Sequence, residues 1–363
     1  MSPMPPPQLV ALSERARSGL STLKRKMVPP GIALLDFVGD LWGFHVAFAL
    51  AELAVCDAIR DAGPEPIASD KLAEQLSLSP DMLYRTLRAA SQLGVVTEHP
   101  QKRFTLTSLG QAMCKSPEAS FVDFIIFMGR HGTPNWPLLA ECIRTGKTAI
   151  ELLHGVQPFD WLTGEPEVME SFNRAMTAVS NLACEAIAAA HDFSQYPHIT
   201  DVGGGHGRLL GELLKSAPKS RGTLLDLPQV VAGALELLEG LGVRSRVEAV
   251  GGSFFEDVPG GADLYISKSV IHDWQDEQAR QILKCIRKAM GSKPAKLMLC
   301  ETVVPAAGKP HFAKLLDLEM IVHGGGRERT VDEYAALFGS ADFRLDTIEA
   351  TAGPMSLVIG SPV

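Results

Sequence analysis

The stretch "HITDVGGGHGRLLGELLKSA" at residues 198–217 decides the fold, because it joins a strand pattern to a helix pattern through a run of glycines. The alternation continues downstream, where "RGTLLDLP" is strand-like and "VVAGALELLEGLG" is helical. Further on, the pattern predicts helices around 313–322 and at 331–339, and strands near 343–350 and 355–360. Strands that alternate with helices form a mostly parallel sheet with helices on both faces. We therefore predict an α/β fold for this part of the chain.

The first 110 residues instead follow a mainly helical pattern with one short β insertion. A helix at 70–76 is followed by a second helix that opens after Ser79-Pro80, and "VVTEH" and "RFTLT" then form two short strands. This order predicts a winged helix-turn-helix. Only Arg85 and Arg88 are basic on the second helix, so we expect a structural or dimerising role, with DNA readout as the alternative.

Composition describes a globular chain of 363 residues, long enough for two domains, with 46% hydrophobic and 21% charged residues. The net charge is −8, and residues 1–110 carry 11 basic and 11 acidic side chains, so nucleic acid is not expected as a partner. The six cysteines form no CxxC pair, which predicts reduced thiols in a cytoplasmic protein.

Two N-terminal segments invite a targeting or membrane interpretation. The start, "MSPMPPPQ", is Pro-rich, so we expect it to be disordered and not to be a signal peptide. The apolar run at 41–59 is interrupted by His45, Glu52 and Asp57, so it predicts an interior core helix and not a membrane span.

The glycine loop indicates a nucleotide-like cofactor. Gly203, Gly205 and Gly207 follow the first predicted strand, where glycines let the backbone approach a ligand at a helix N-terminus. The pattern is GxGxG, which differs from the GxGxxG of dinucleotide sites, and no GK[ST] follows. Asp226 ends the next strand and either accepts the ribose hydroxyls or caps the following helix. Together these features favour S-adenosylmethionine, whose ammonium Asp201 could meet.

A second functional stretch, "SVIHDWQDEQARQIL" at residues 269–283, places His272, Asp273 and Trp274 where a strand pattern meets a helix pattern. The carboxyl ends of parallel strands point at the ligand crevice, so His272 is a candidate general base, with a satisfied buried histidine as the alternative. Asp273 either caps the next helix or contacts ligand. No i, i+4 His pair or Cys/His cluster exists, so no metal site is expected.

Five motifs occur in the order seen in the plant-type O-methyltransferases: "DVGGGHG", "LLDLPQV", "GGSFFEDVPGGADLYISKSVIHDWQDEQARQIL", "LCETVVP" and "HGGGRERTVDEYAALF". The chain resembles this family, which includes bacterial small-molecule and polyketide methyltransferases and hydroxyindole O-methyltransferases, over nearly its whole length. The resemblance implies a homodimer with a winged-helix dimerisation domain at 1–115. It also implies a Rossmann-like S-adenosylmethionine-dependent domain at 116–363, in which 116–190 is a helical substrate-side segment.

The resemblance, together with the residue patterns above, predicts three groups of site residues. The cofactor-binding residues are Ser180, Asp201, Gly203, Gly205, Asp226, Ser253, Phe254, Lys268 and Trp274. The catalytic residues are His272, Glu301 and Glu328. The substrate-side residues are Met128, Phe172, Met176 and Met320. Ser253 departs from the family pattern, since many relatives have an acidic residue there.

The expected reaction is methyl transfer from S-adenosylmethionine to a hydroxyl, phenolic in the main expectation, of a small aromatic or polyketide-like natural product. A phenol with a pKa of about 10 is mostly protonated at neutral pH, so the imidazole of His272 would remove the proton. Glu301, at the end of the next strand, is expected to fix the tautomer and stabilise the imidazolium. The alternatives are hydroxylation, decarboxylation or cyclisation with the same cofactor and, remotely, a winged-helix transcriptional regulator.

Overall fold

The computed structural model describes residues 7–116 and 120–363, so most of the Pro-rich start lies outside the described residues. The chain forms two compact units. The first, here called the sheet unit, comprises Met1–Ser18, Leu138–Phe159 and Ser180–Val363, and the second, here called the helical unit, comprises Gly19–Pro137 and Asp160–Val179. Since neither unit is one continuous stretch of chain, the boundary between residues 115 and 116 stays a prediction.

Helices and strands are numbered in chain order within the described residues. The α-helices are α1 (Pro7–Lys26), α2 (Pro30–Glu52), α3 (Val55–Asp61), α4 (Ser69–Leu76), α5 (Pro80–Gln92), α6 (Ser108–Ala112), α7 (Phe121–Phe127), α8 (Leu139–Thr145), α9 (Ala149–His154), α10 (Pro158–Gly164), α11 (Pro166–Ala190), α12 (Arg208–Ser216), α13 (Pro228–Val231), α14 (Ala234–Gly240), α15 (Asp276–Met290), α16 (Ala313–Glu319) and α17 (Val331–Gly339). The strands are β1 (Ile67–Ala68), β2 (Val96–His99), β3 (Arg103–Leu106), β4 (His198–Val202), β5 (Arg221–Asp226), β6 (Val247–Gly251), β7 (Leu264–Lys268), β8 (Lys296–Glu301), β9 (Val303–Val304), β10 (Arg329–Thr330), β11 (Phe343–Ala350) and β12 (Ser356–Pro362). Two π-helical segments also occur, Met128–Gly132 and Met320–Gly324.

The sheet unit is built on seven strands in the order β11-β12-β8-β7-β4-β5-β6. The pairs β4–β5, β4–β7, β5–β6 and β7–β8 are parallel, whereas β12 runs antiparallel to both of its neighbours. Alternate residues of a strand face opposite sides of a sheet. Along β8, Met298 and Cys300 accordingly join one apolar cluster, and Leu297 and Leu299 join the other. The prediction of a mostly parallel α/β sheet is confirmed.

Helix α15 shows why the segment after the His272 stretch is helical. Ala279, Ile282 and Leu283 are fully buried, which gives the apolar spacing of one helix face. Acidic residues occupy its first turn and basic residues its last turn, so both ends suit the helix dipole. The helix runs from Asp276 to Met290.

In the helical unit, α4 and α5 lie where the two helices of the predicted winged helix-turn-helix are expected. Ser79 occupies the N-cap position of α5 without a side-chain cap bond, and Pro80 is the first helical residue. Strands β2 and β3 pair antiparallel as expected, and β3 also pairs with β1, which the sequence did not indicate. Leu83 and Leu87 are buried in the core of this unit.

Helix α2 differs from the predicted core helix. Leu35, Phe37 and Trp42 are 64%, 57% and 67% exposed, and burial begins only at Leu50 and Ala51. The prediction of an interior helix at 41–59 is therefore wrong at Trp42 and its neighbour Leu41, which are exposed. It is confirmed towards the end of the run, where Leu50, Val55 and Ile59 are buried in the core of the helical unit. By length and composition alone α2 could cross a membrane, which is weak evidence for a span.

Candidate active site

The glycine loop connects β4 to α12 and is fastened to the neighbouring strand β5. The N–H groups of Gly203 and Gly204 donate to the carbonyl oxygen of Leu225 at 2.8 and 3.3 Å. Gly203 and Gly205 have φ of +70° and +60°, a left-handed conformation that glycine adopts without strain. A Cβ on Gly205 would meet nothing within 4 Å, so the backbone there is open to a ligand.

Asp226, at the end of β5, binds the glycine loop directly. Its Oδ2 accepts the N–H of Gly205 at 2.8 Å, and its Oδ1 accepts the N–H of Leu227 at 2.7 Å. Helix α13 begins at Pro228 without a side-chain cap, so Asp226 does not serve as its N-cap. A carboxylate offers about four lone-pair sites, so Asp226 keeps acceptor capacity for further hydroxyl groups.

An aromatic cluster lies beside the loop. The ring centroids of Phe254 and Phe255 are 5.0 Å apart, and Trp274 stands edge-on to Phe255 at 4.8 Å. Phe159 lies nearly parallel to Trp274 at 6.0 Å. The ring of Phe254 comes within 3.3 Å of where a Cβ on Gly203 would be. The structure thus brings Phe254, Trp274 and the glycine loop together.

The remaining predicted cofactor residues have different surroundings. Asp201 is fully buried beneath the loop, and neither carboxylate oxygen has a hydrogen-bond partner among the described residues. Burial raises the pKa of Asp201 to about 7, against the opposing charge of Lys268. Ser253 Oγ accepts the N–H of Phe255 at 3.3 Å, and Ser180 Oγ lies 3.5 Å from Cys184 Sγ. Direct contact of these residues with the cofactor stays a prediction.

His272 sits in a 3-10 turn, Ile271–Asp273, between β7 and α15. Its Nδ1 lies 2.8 Å from Oε1 of Glu328, and its Nε2 lies 3.4 Å from Oδ1 of Asp273. In the neutral ring, the shorter contact places the hydrogen on Nδ1, because a carboxylate only accepts, and Nε2 is then the basic nitrogen. In the imidazolium, the N–H of Nε2 faces Asp273. Asp273 does not cap α15, whose N-cap position is Gln275. The imidazole is 15% exposed and therefore keeps an accessible edge.

The charges around His272 favour its protonated form. Burial lowers the pKa of the imidazole, but the negative charges of Asp273, Glu301 and Glu328 outweigh it and raise the pKa to about 10. Burial also raises the pKa of Glu301 to about 7. The proton affinity of His272 therefore approaches that of a phenolate, whose conjugate acid has a pKa of about 10.

Glu301 and Glu328 make different contacts from those expected from the sequence. Glu301 is fully buried, but its Oε1 accepts the N–H groups of Val270 and Ile271, at 3.2 and 2.9 Å. The carboxylate that accepts the hydrogen bond from the ring of His272 belongs to Glu328 instead. Ligand-type atoms of His272, Glu301 and Glu328 lie within 4.8 Å of one another, a spacing that could also suit a metal ion. The expected absence of a metal stays a prediction.

The predicted substrate-side residues fall in both units. Met320 opens the π-helical segment Met320–Gly324, which packs against the His272 turn. Met128 opens the other π-helical segment, and Phe172 and Met176 lie on α11 within the helical unit. The approach of these three residues to His272 stays a prediction. The π-helical turns went unpredicted, although such turns are frequent at functional sites.

Arg329 is a site residue that the sequence did not single out. Its guanidinium is fully buried and bonds to the backbone on both sides of His272 and Asp273. The available signal was its place beside Glu328 in "GGRERT".

Comparison with known proteins identifies the family. An O-methyltransferase domain model matches residues 136–344, and an O-methyltransferase dimerisation domain model matches residues 36–116. Phenazine O-methyltransferase PhzM of Lysobacter antibioticus is 34% identical over 336 residues, covering 93% of this chain and 97% of that protein. The 3-amino-4-hydroxybenzoate 4-O-methyltransferase of Streptomyces cremeus is 33% identical over 319 residues, covering 88% and 86%.

A solved structure has the same fold as this chain. Human N-acetylserotonin methyltransferase in complex with S-adenosylmethionine superposes with a TM-score of 0.82 at 25% identity, covering 92% of this chain and 98% of that one. These matches confirm the resemblance, the fold class and the cofactor that the sequence predicted. The chain belongs to the O-methyltransferase family and is an S-adenosylmethionine-dependent O-methyltransferase.

Proposed function

We propose that this enzyme methylates a phenolic hydroxyl of a small aromatic or polyketide-like natural product, with His272 as general base. The observation that carries the proposal is the 2.8 Å bond between Nδ1 of His272 and the buried carboxylate of Glu328, which leaves Nε2 as the base. The names of two relatives support the acceptor class, since one methylates a phenazine and the other a hydroxybenzoate.

The residues around the glycine loop fit the cofactor. Gly205 leaves its backbone open, and Asp226 beside it has lone pairs for the ribose hydroxyls. Phe254 and Trp274 offer flat apolar surface for the adenine. Lys268, Ser180, Ser253 and Asp201 complete the proposed cofactor set. Bound S-adenosylmethionine supplies an electrophilic methyl group.

The protein's own contribution to the reaction is removal of the acceptor proton. Nε2 of His272 takes the phenolic proton, and the Nδ1–H bond to Glu328 stabilises the resulting imidazolium. Asp273, 3.4 Å from Nε2, adds a second negative charge. Because the pKa of His272 is raised to about 10, the ring is mostly imidazolium at neutral pH, and the base is the neutral fraction, which grows as pH rises. Proton transfer from a phenol to that neutral ring is nearly balanced in free energy. General-base catalysis of this kind contributes about 100- to 10,000-fold.

We also propose that the enzyme is a homodimer that forms through its N-terminal part. The exposed apolar side chains of α2, among them Phe37 and Trp42, support this assembly, as does the match to a dimerisation domain. Burying such a face in a second copy removes apolar surface from water. The winged-helix arrangement of α4, α5, β2 and β3 would then serve assembly. Met128, Phe172, Met176 and Met320 are proposed to contact the acceptor, and a cytoplasmic location is expected.

The test is product formation and its dependence on His272. Incubation with S-adenosylmethionine and a panel of phenols should yield products that gain one methyl group, as measured by mass. His272→Ala should lower turnover by about 100-fold or more while cofactor affinity stays near wild type. His198→Asn is a matched control, since His198 begins β4 at the opposite end of the sheet and bonds Thr223. Full turnover in the His272 variant would exclude a general base there.

A further inference from the structure

Arg329 is a buried guanidinium with an unusual set of partners. It is fully buried, and its Nη1 and Nη2 donate to the carbonyl oxygens of Ile271 and Trp274 at 3.0 and 2.8 Å. Its Nε and Nη2 donate to Oδ1 of Asp276 at 3.0 and 2.8 Å. The guanidinium therefore joins both ends of the His272 turn to the first residue of α15.

These bonds fix backbone on either side of the reacting imidazole. Ile271 precedes His272, and Trp274 follows Asp273, so one planar group spans the turn. A guanidinium presents five N–H donors in a rigid fork, which sets the spacing of the carbonyls that it binds. Glu301 holds the N–H groups of the same turn, so the turn is fastened from both sides.

The segment that carries Arg329 also carries the partner of the ring. Glu328, the preceding residue, bonds Nδ1 of His272, and the N–H of Arg327 donates to the His272 carbonyl oxygen at 2.7 Å. A Cβ on Gly326 would clash with that same carbonyl, so the close approach depends on glycine. One short segment thus holds the ring and the backbone of His272 together.

We infer that Arg329 is a positioning residue for methyl transfer, whose guanidinium holds the turn from Ile271 to Trp274 so that His272 keeps its bond to Glu328. The inference rests on the proposed role of His272 as general base. A displacement of a catalytic group by about 1 Å can lower the rate by about 100-fold, so loss of this fork should act on turnover.

A purely structural role for Arg329 predicts loss of stability alone, and the chain offers a matched control. Arg246 also binds backbone carbonyls with its guanidinium, those of Leu214, Ala217 and Ser220, at 2.9, 3.1 and 2.8 Å. These carbonyls lie at the end of α12 and in the following turn, away from the His272 turn. Arg246→Lys and Arg329→Lys thus remove the same kind of fork at different places.

The experiment compares kcat, KM, cofactor affinity and the unfolding midpoint of both full-length variants, well below their midpoints. Arg329→Lys should lower kcat by about tenfold to 100-fold, with cofactor affinity within about twofold of wild type. Its kcat–pH profile should also move to lower pH, because a loosened bond to Glu328 stabilises the imidazolium less. Arg246→Lys should keep the wild-type kcat and pH profile even if its midpoint falls.

Wild-type kcat and pH profile in Arg329→Lys, or an equal loss of kcat in Arg246→Lys, would overturn the inference. Asp276→Asn serves as the second variant if Arg329→Lys does not fold, since it weakens the hold on the guanidinium and leaves the arginine in place. It should lower kcat in the same direction by a smaller factor, and an unchanged kcat would again count against positioning. The proposed function fails separately, if His272→Ala retains full turnover.

Discussion

Replacing Asp226 by asparagine tests how far the cofactor site depends on a single carboxylate. The two oxygens of Asp226 accept the N–H groups of Gly205 at 2.8 Å and Leu227 at 2.7 Å. An amide offers only one oxygen, so one of these N–H groups would face an NH₂ donor and lose its bond. The neutral amide also weakens the proposed bonds to the ribose hydroxyls, which form only when the cofactor binds. A hydrogen bond to a charged group contributes about 1.5–3 kcal/mol. This energy corresponds to about a 10- to 150-fold change in an equilibrium constant.

The assay is calorimetric titration of the full-length variant with S-adenosylmethionine. We expect Kd to rise by about tenfold or more, while the unfolding transition stays cooperative. Asp263→Asn is the matched control, since Asp263 accepts the N–H of His198 at 3.0 Å at the other end of the sheet. Its Kd should stay at the wild-type value. An unchanged Kd for Asp226→Asn, or equal weakening in both variants, would refute the reasoning.

Three further predictions concern acidity, stability and assembly. Glu328→Gln removes a charge that raises the pKa of His272, so the kcat–pH profile should shift to lower pH, and an unshifted profile would contradict the pairing. Burial raises the pKa of Asp201 from 3.8 to about 7, so this group lowers the stability of the fold as pH rises from about 4 to about 7, with no further loss above that range. By linkage, the difference in unfolding free energy between Asp201→Asn and the wild type should be about 4 kcal/mol more favourable to the variant at pH 8 than at pH 3. Denaturant titrations of both proteins at both pH values can check this. Light scattering should give twice the 39.0 kDa chain mass, and the dimer interface should exceed about 2,000 Å². Trp42→Glu should weaken the dimer, and a fully active monomer would argue against the proposed assembly.

The sheet and its helices could be predicted because their signals are local. The apolar spacing predicted a helix at 331–339 and a strand near 343–350, and the structure has α17 and β11 at those positions. The predicted helix at 313–322 ends as an α-helix at Glu319 and continues as the π-helical segment Met320–Gly324. A widened turn shifts the side-chain spacing by a single residue, which periodicity does not resolve.

The active site could be predicted from the sequence only in part, for a different reason. The carboxyl ends of parallel strands meet at one edge of a sheet, so the chain order alone could bring Asp226 and His272 to the same crevice. Which acid bonds the ring depends on side-chain geometry between distant segments, and Glu328 takes the place expected for Glu301. Arg329 went unnoticed because arginine is rarely fully buried unless its charge is paired.

The position of β12 has a consequence for how the protein is made. β12 lies between β8 and β11 in the sheet, although it follows both strands in the chain. Translation must therefore pass Pro362 before the hydrogen-bonding edge of β8 is covered. An open strand edge is a template for pairing with other chains, and long-range strand pairing is slow. Nascent chains that stall between β11 and β12 should therefore aggregate with one another, and folding depends on the late insertion of this strand.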